Sequence, residues 1–211
     1  MMIDLQVVEY LRSLVPERDE LLQELERRAE ELFIPILDLE TMGFLRVFLA
    51  IAKPLRILEV GSAIGYSAIV MARATGAQIT TIERDPERAQ EARHNLARAG
   101  LTERVELLEG DALDIIPTLG MYDLIFLDAA KGQYPRFLEL LHPHLKPGGV
   151  LLSDNVLFQG LVSGDPEVKH KLRTMINRLR EYNVLLTQHP EYETSILPVG
   201  DGLAVSVRAG S

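Results

Sequence analysis

Acidic side chains directly follow several apolar runs of the sequence, and their types and spacing could support chemistry. Asp128 follows Leu-Ile-Phe-Leu, and Asp154-Asn155 follow Val-Leu-Leu-Ser. Two carboxylates and one amide offer only oxygen ligands, which suit Mg²⁺, Ca²⁺ or Mn²⁺ better than a soft metal. These three residues are therefore candidate ligands of a divalent cation. The alternative is that Asp154 and Asn155 cap a turn and that Asp128 caps a helix.

Lys131 lies three residues beyond Asp128, close enough in sequence to reach the same cleft. A lysine in that position could act as a general base toward a hydroxyl substrate. The alternative is an ordinary solvated lysine in a loop.

A second group of candidates surrounds a glycine turn. The run Ile-Leu-Glu-Val directly precedes Gly61, and Gly65 follows four residues later. A buried strand that enters such a turn and then a helix is typical of nucleotide binding. Because position 63 is Ala, the dinucleotide fingerprint is incomplete, and no Lys-Ser/Thr follows Gly65 to make a P-loop. The turn therefore favours a ligand without a pyrophosphate.

Two further acids have the spacing for an adenosine. Glu83 lies 22 residues after Gly61, close to the spacing of about 20 at which an acid binds a ribose hydroxyl. Asp111 follows the next strand and could bind an adenine amino group. The alternative is that the glycines only permit a tight turn and that both acids are ordinary polar strand ends.

The elements that must position these residues alternate between strands and helices from residue 55 onward, which is typical of an α/β fold with a mostly parallel sheet. The predicted strands are Arg56–Val60, Gln78–Ile82, Arg104–Leu108, Leu124–Leu127, Val150–Ser153 and Val184–Thr187. The predicted helices are Tyr66–Thr75, Pro86–Ala99, Tyr134–Leu145 and Glu167–Tyr182. Ser195–Val199 and Leu203–Val207 flank Gly200-Asp201-Gly202, so we expect an antiparallel hairpin at the C-terminus.

Length and composition limit the functional classes. The chain has 211 residues, which predicts a single domain, 1–211, with a helical segment at 1–52 and an α/β core at 53–211. Its formal charge of −9 argues against binding nucleic acid or membranes through bulk charge. The absence of cysteine fits a reducing compartment, and no secretory signal is evident, so we expect a cytoplasmic protein.

One local feature departs from the acidic balance. Six basic residues fall within a stretch of twelve that contains no acid: Lys169, His170, Lys171, Arg173, Arg178 and Arg180. Such a basic helix could bind the phosphates of an RNA. It could equally be a solvated face that balances acidic neighbours.

The sequence motifs occur in an order that is typical of one protein family. The runs EVGSAIGYS, TIER, GDA, DAAKGQY, PGG and DNVLFQG resemble the cation-dependent class I O-methyltransferases, which include the catechol and caffeoyl-CoA O-methyltransferases. The resemblance extends from about Pro35 to Val207 and implies a Rossmann-like sheet that binds S-adenosylmethionine and a divalent metal, Mg²⁺ or Mn²⁺. Members of this family are often dimers, so we expect a homodimer.

The resemblance also implies roles for individual residues. It places Gly61, Tyr66 and Ser67 beside the methionine moiety of the cofactor, Glu83 on the ribose, and Asp111 and Ala112 near the adenine. Asp38 closes over the cofactor, and Asp128 contacts it as well. Asp128, Asp154 and Asn155 become the metal ligands and Lys131 the base.

Within this family, the runs DAAKGQY, DNVLFQGLV and HPEYETSILPVGDGLA resemble the bacterial tRNA 5-hydroxyuridine methyltransferases. This resemblance implies methylation of the wobble uridine to 5-methoxyuridine, with the tRNA anticodon as partner and Lys169, Lys171, Arg173, Arg178 and Arg180 as RNA contacts. Ala129-Ala130 replace the larger side chains that follow Asp128 in plant and animal members, so a small catechol would be less tightly enclosed. An O-methyltransferase of small catechol or hydroxycinnamoyl acceptors and a non-catalytic adenosine-binding module remain as alternatives.

Overall fold

The computed structural model describes residues 5–164 and 170–210. It divides into two compact units, which meet in sequence between Asp111 and Ala112. Among the described residues, the first unit has three strands paired in parallel, and the second has four, of which two are parallel and the C-terminal ones antiparallel. This confirms the predicted α/β fold class.

The first unit begins with three helices and continues with alternating strands and helices. The helices before the first strand are α1 (Leu5–Ser13), α2 (Glu20–Glu31) and α3 (Leu39–Ala52). The alternating elements are β1 (Arg56–Val60), α4 (Tyr66–Ala74), β2 (Gln78–Glu83), α5 (Pro86–Arg98) and β3 (Val105–Glu109). The strands pair in parallel in the order β3-β2-β1, with Val60 opposite Ile82 and Glu83 opposite Glu109. Their carboxyl ends therefore meet at one edge, as predicted.

Local sequence signals fix both ends of helix α5. Asp85 caps α5 by accepting hydrogen bonds from the backbone of Glu87 and Arg88 at 2.9 and 3.2 Å, and Pro86 opens the first turn. Gly100, with φ 69°, follows the end of α5. Helix α5 therefore ends within one residue of the predicted range, Pro86–Ala99.

In its described residues, the second unit contains four strands and the helices before and between them. Its elements are α6 (Ala112–Ile115), β4 (Tyr122–Leu127), α7 (Tyr134–Leu141), β5 (Leu145–Ser153), α8 (His170–Thr187), β6 (Tyr192–Leu197) and β7 (Leu203–Arg208). The strands pair in the order β4-β5-β7-β6; β4 and β5 are parallel, and β7 is antiparallel to both β5 and β6. The predicted C-terminal hairpin is therefore confirmed.

The prediction of a strand at Val184–Thr187 is wrong, because α8 continues through these residues to Thr187. Ile176, Leu179, Tyr182 and Leu186 are all buried, and their spacing of three or four residues places them on one face of a helix. Packing of this face outweighs the strand preference of a short apolar run. Within residues 5–164 and 170–210, no helix is long and apolar enough to cross a bilayer.

Candidate active site

The glycine turn of the first unit adopts a conformation that requires its glycines. Gly61 has φ 102° and Gly65 has φ 84°, a region that side chains disfavour. The backbone N–H groups of Gly61 and Ser62 both donate to Ile82 O, at 3.0 and 3.1 Å. A Cβ on Gly65 would lie 3.3 Å from the Cβ of Ala92, so α5 approaches the turn closely. The turn is thus fixed to the end of β2 on one side and to α5 on the other.

Glu83 joins the turn to the end of β2. Its Oε2 accepts a hydrogen bond from Ala63 N at 2.8 Å, and its Oε1 accepts one from Asp85 N at 2.8 Å. The residue is 9% exposed, so a carboxylate lies at the carboxyl edge of the sheet with lone pairs left for a ligand. Binding of a ribose hydroxyl by this carboxylate stays a prediction from its spacing to Gly61.

Tyr66 opens α4, but its side chain is engaged elsewhere. The hydroxyl donates to Glu26 Oε1 of α2 at 2.7 Å and lies 3.3 Å from the sulfur of Met42. Burial alone would raise the pKa of Glu26, but hydrogen bonds from Arg18 and Tyr66 outweigh it and lower that pKa. A contact between Tyr66 and a cofactor would therefore come from its backbone rather than its hydroxyl.

The other residues predicted to bind the cofactor lie near the ends of helices and strands, and their role stays a prediction. Asp38 is the N-terminal cap residue of α3 and is half-buried, and Ser67 lies in the first turn of α4 and is 8% exposed. Asp111 follows β3 at the end of the first unit and is half-buried. Ala112 is the first residue of α6 in the second unit.

In the second unit, two carboxylates follow neighbouring strands. Leu127 of β4 is paired with Ser153 of β5, and Asp154 N donates to Leu127 O at 3.0 Å. Asp128 and Asp154 are therefore the first residues beyond two adjacent strand ends. Asp154 is 2% exposed. A buried carboxylate is costly without a compensating positive charge or hydrogen bonds.

Asn155 and Lys131 complete this group. Asn155 has φ 57° and donates its backbone N–H to Asp154 Oδ1 at 2.8 Å. Lys131 Nζ lies 2.6 Å from Asp128 Oδ1, and both side chains are about one-fifth exposed. Carboxylate and amide oxygens with an adjacent ammonium group could bind a hard cation and exchange a proton with a bound acceptor.

The donor set fits a divalent cation in its chemistry. All three residues offer oxygen, and a bound cation would offset the repulsion between the carboxylates that follow these two adjacent strands. Within residues 5–164 and 170–210, no cluster of three or more His, Cys, Asp or Glu side chains is placed to hold a metal. The predicted set contains only two such residues and an amide, so it would leave open positions for water or substrate oxygens, as Mg²⁺ prefers.

Tyr134 supports this group of residues, although the sequence did not mark it as functional. Its hydroxyl contacts Asp154 O at 2.9 Å and Leu127 O at 3.2 Å. Burial, together with the charges of Asp128 and Asp154, raises the pKa of Tyr134 well above its ordinary value, so the hydroxyl keeps its proton. The ring packs edge-to-face on Tyr182, with centroids 5.1 Å apart. One buried hydroxyl thus connects the ends of β4 and β5.

We predict that Tyr134→Phe lowers the free energy of unfolding by about 1–3 kcal/mol, because two buried carbonyl groups lose a donor. Urea denaturation of the full chain measures this change. Tyr10→Phe is the matched control, since Tyr10 is 63% exposed and should change stability by less than about 0.5 kcal/mol. Equal effects of the two substitutions would contradict the supporting role of Tyr134.

The basic stretch lies in and before α8. Its side chains differ in their exposure to solvent and in their bonds to other groups of the protein. Lys169 lies outside the described residues, and Lys171 is described only in its backbone. Arg180 donates to Val162 O at 3.0 Å and also bonds Gly164 O, and Arg178 pairs with Glu181 at 2.6 Å. Arg173 is exposed. Arg180 therefore has a structural role, whereas Arg173 presents its charge to solvent.

Comparison with known proteins decides the family. A family model described as O-methyltransferase matches residues 13–209. The chain is 33% identical to a catechol O-methyltransferase of Niastella koreensis in an alignment of 176 residues that covers 78% of this chain and 78% of that protein. A solved structure from Staphylococcus aureus, provisionally named a caffeoyl-CoA O-methyltransferase, matches with a TM-score of 0.91 and 35% identity, covering 98% of this chain and 100% of that one. This chain belongs to the O-methyltransferase family.

One of the similar solved structures contains the product form of the cofactor. A solved Bacillus cereus O-methyltransferase in complex with S-adenosylhomocysteine (SAH) matches with a TM-score of 0.84 and 27% identity, covering 96% of this chain and 97% of that one. The chain is thus an S-adenosylmethionine-dependent O-methyltransferase of the catechol and caffeoyl-CoA type. This result favours an enzyme over the alternative of a non-catalytic adenosine-binding module.

Proposed function

We propose that this O-methyltransferase methylates the 5-hydroxyl group of 5-hydroxyuridine at the wobble position of tRNA and so forms 5-methoxyuridine. The uracil ring carries its 5-hydroxyl beside the 4-carbonyl oxygen, so it presents the same pair of adjacent oxygens that a catechol does. The chemistry of the family therefore needs no change to accept it.

The observation that carries the proposal is the position of the basic helix. Helix α8 packs against residues 131–133, which contain Lys131, and Tyr182 of α8 contacts Tyr134. Arg173 of the same helix is exposed. We propose that Arg173 holds an RNA phosphate while an unstacked base enters the site next to Lys131.

The small residues after Asp128 support a large acceptor. Ala129 is half-buried and Ala130 is exposed, so neither side chain encloses the space next to Asp128 tightly. A nucleotide that is still attached to its RNA needs such an opening, whereas a free catechol gains from tight enclosure.

Each residue would have a distinct task in the reaction. Glu83 would bind the ribose hydroxyls and Asp111 with Ala112 the adenine, and Gly61, Ser67 and the Tyr66 backbone would lie along the methionine moiety. The cation would be held by Asp128, Asp154 and Asn155. When bound, S-adenosylmethionine supplies an electrophilic methyl group, and the cation supplies the Lewis acidity that makes the acceptor hydroxyl more acidic.

Lys131 would accept the proton of the acceptor hydroxyl. Its Nζ lies 2.6 Å from Asp128 Oδ1. Only the neutral amine, formed after a proton is released to solvent, can act as a base. The carboxylates would fix the direction of the acceptor oxygen, and such positioning contributes up to about 7–11 kcal/mol in well-oriented reactions.

A comparison of acceptors tests the proposal. Purified enzyme with labelled S-adenosylmethionine and Mg²⁺ is given tRNA that carries 5-hydroxyuridine, a free catechol, and a hydroxycinnamoyl thioester. We expect kcat/KM to be highest for the tRNA. A value for either small acceptor that far exceeds the value for tRNA would contradict the proposal.

Charge reversal on α8 separates RNA binding from chemistry. We predict that Arg173→Glu lowers kcat/KM for tRNA by about tenfold or more at low salt, because phosphate contacts dominate RNA affinity. Methylation of a free catechol should be unchanged. Arg27→Glu, an equal charge change at an exposed position of α2, is the control and should affect neither acceptor. Equal losses for both acceptors in Arg173→Glu would argue against an RNA contact.

A small-molecule acceptor is the second candidate function. It is favoured by the names of two relatives, the Niastella protein and a Mycobacterium tuberculosis catechol O-methyltransferase that is 35% identical over 164 residues, covering 72% of this chain and 71% of that one. In that case, the Arg173→Glu enzyme would keep full activity toward its natural acceptor.

A further inference from the structure

The turn of the C-terminal hairpin, residues 200–202, contacts the loop that follows Asn155. We name residues 156–164 the acceptor loop, because they follow the proposed cation ligands directly. Leu157 N and Phe158 N donate to Asp201 O at 3.0 and 3.1 Å, and Val156 N donates to Gly202 O at 2.9 Å. The start of the loop is thus bonded to a turn more than 40 residues away in sequence.

The side chain of Asp201 adds a fourth bond. Its Oδ1 accepts a hydrogen bond from Gln159 N at 2.8 Å. Four consecutive backbone N–H groups of the acceptor loop therefore donate to two residues of the hairpin turn. Only this fourth bond depends on a side chain, so it can be removed by substitution without changing the backbone of the turn.

The acceptor loop has a backbone that needs such support. Phe158 has φ 41° and Gln159 has φ 54°, and Asn155 just before the loop has φ 57°. Residues other than glycine disfavour this conformation and keep it only when the surrounding contacts hold it. Because Asn155 adjoins Val156, a change in the loop would alter the direction of the Asn155 side chain.

Gly202 lies directly against the loop. A Cβ at this position would lie 2.5 Å from Leu157 Cγ and 2.7 Å from Leu157 N, and φ is +94°. No larger residue fits without displacing the loop. The loop is also held from α8, where Asn183 Nδ2 donates to Val156 O at 2.9 Å and Arg180 Nε donates to Val162 O.

We infer that the hairpin turn 200–202 sets the conformation of the acceptor loop, and that Asp201 is a positioning residue for the cation site. Asp201 acts through the backbone of Gln159 rather than through contact with the reacting groups. The coupling to the cation rests on the proposed role of Asp154 and Asn155, whereas the effect on the loop does not.

The test compares Asp201→Ala with Asp201→Asn in the full chain. The alanine variant removes the acceptor of the Gln159 N–H, and the asparagine variant keeps a side-chain oxygen that can replace it. Glu193→Ala is the control, because Glu193 is an exposed carboxylate on β6 of the same hairpin.

Two measurements on the SAH-bound protein separate the effects. Amide hydrogen exchange of a peptide that covers residues 156–162 should be faster in Asp201→Ala and normal in Asp201→Asn and Glu193→Ala. Among these three variants, only Asp201→Ala should show a dissociation constant for Mg²⁺ that is raised about tenfold, as expected for loss of a residue that orients a metal ligand. The affinity for SAH should stay within twofold in every variant.

A second variant tests the contact of the turn without the carboxylate. Gly202→Ala should produce the same faster exchange and weaker Mg²⁺ binding. Gly148→Ala is its control, since Gly148 also has a positive φ, +75°, but a Cβ at that position would have no atom within 4 Å.

Normal exchange of the acceptor loop in both Asp201→Ala and Gly202→Ala would overturn the inference. A parallel loss of SAH affinity would also overturn it, because that would show a general loss of structure. Wild-type protein that binds no Mg²⁺ would contradict the cation site and so remove the positioning role, while the exchange result would still report on the loop.

Discussion

Asp154→Ala is expected to abolish methyl transfer while largely sparing the binding of S-adenosylmethionine. Asp154 is almost fully buried at the end of β5 and adjoins Asp128 and Asn155. Loss of a residue that only supports a metal ligand lowers metal affinity or activity by roughly 10-fold to 100-fold. Removing a ligand itself should therefore lower activity by at least about a hundredfold. Initial rates with saturating Mg²⁺ and S-adenosylmethionine measure the effect.

The control and a chelator complete this experiment. Glu139→Ala removes an exposed carboxylate from α7 and should leave the rate unchanged. A strong chelator should abolish the wild-type activity, and added Mg²⁺ should restore it. Wild-type turnover by Asp154→Ala, or activity that survives the chelator, would contradict the proposed cation site.

Glu83→Ala is expected to weaken SAH binding by about 10-fold to 100-fold. Hydrogen bonds to a charged group contribute about 1.5–3 kcal/mol, which corresponds to this range in affinity. The substitution also removes the acceptor of Ala63 N and thus loosens the glycine turn. Isothermal titration with SAH measures the change directly and needs no acceptor.

Glu87→Ala is the matched control for this prediction. Glu87 is exposed in the first turn of α5, four residues after Glu83, and its loss should leave SAH affinity within twofold. Thermal unfolding of both variants shows whether each remains folded at the temperature of titration. A folded Glu83→Ala protein with wild-type affinity would exclude Glu83 from the cofactor site.

Much of the fold could be predicted from the sequence because its signals are local. Strand β1 has the predicted bounds, Arg56–Val60, since a short apolar run with a glycine turn after it has few alternatives. The N-terminal cap of α5 is equally local, with Asp85 and Pro86 adjacent. The end of α8 could not be predicted in this way, because burial of Leu186 and Tyr182 on one helix face depends on distant partners.

The residues of the candidate site also differ in how far they could be predicted from the sequence. Its acids could be located from the sequence, because parallel strands bring the residues after their carboxyl ends to one edge. The residues that support these acids could not be located in this way. Tyr134 reaches Asp154 O across 20 residues, and Asp201 reaches Gln159 N across 42. The sequence showed Asp201 only as part of a hairpin turn, since nothing local indicates which loop that turn will contact.

The most direct test of the proposed function is nucleoside analysis of tRNA from cells that lack this enzyme. The tRNA is incubated with the purified protein, S-adenosylmethionine and Mg²⁺, and then digested and analysed by mass spectrometry. We predict that 5-hydroxyuridine disappears from the anticodon and that 5-methoxyuridine appears in equal amount. Unchanged 5-hydroxyuridine from a preparation that methylates catechol would contradict the proposed function.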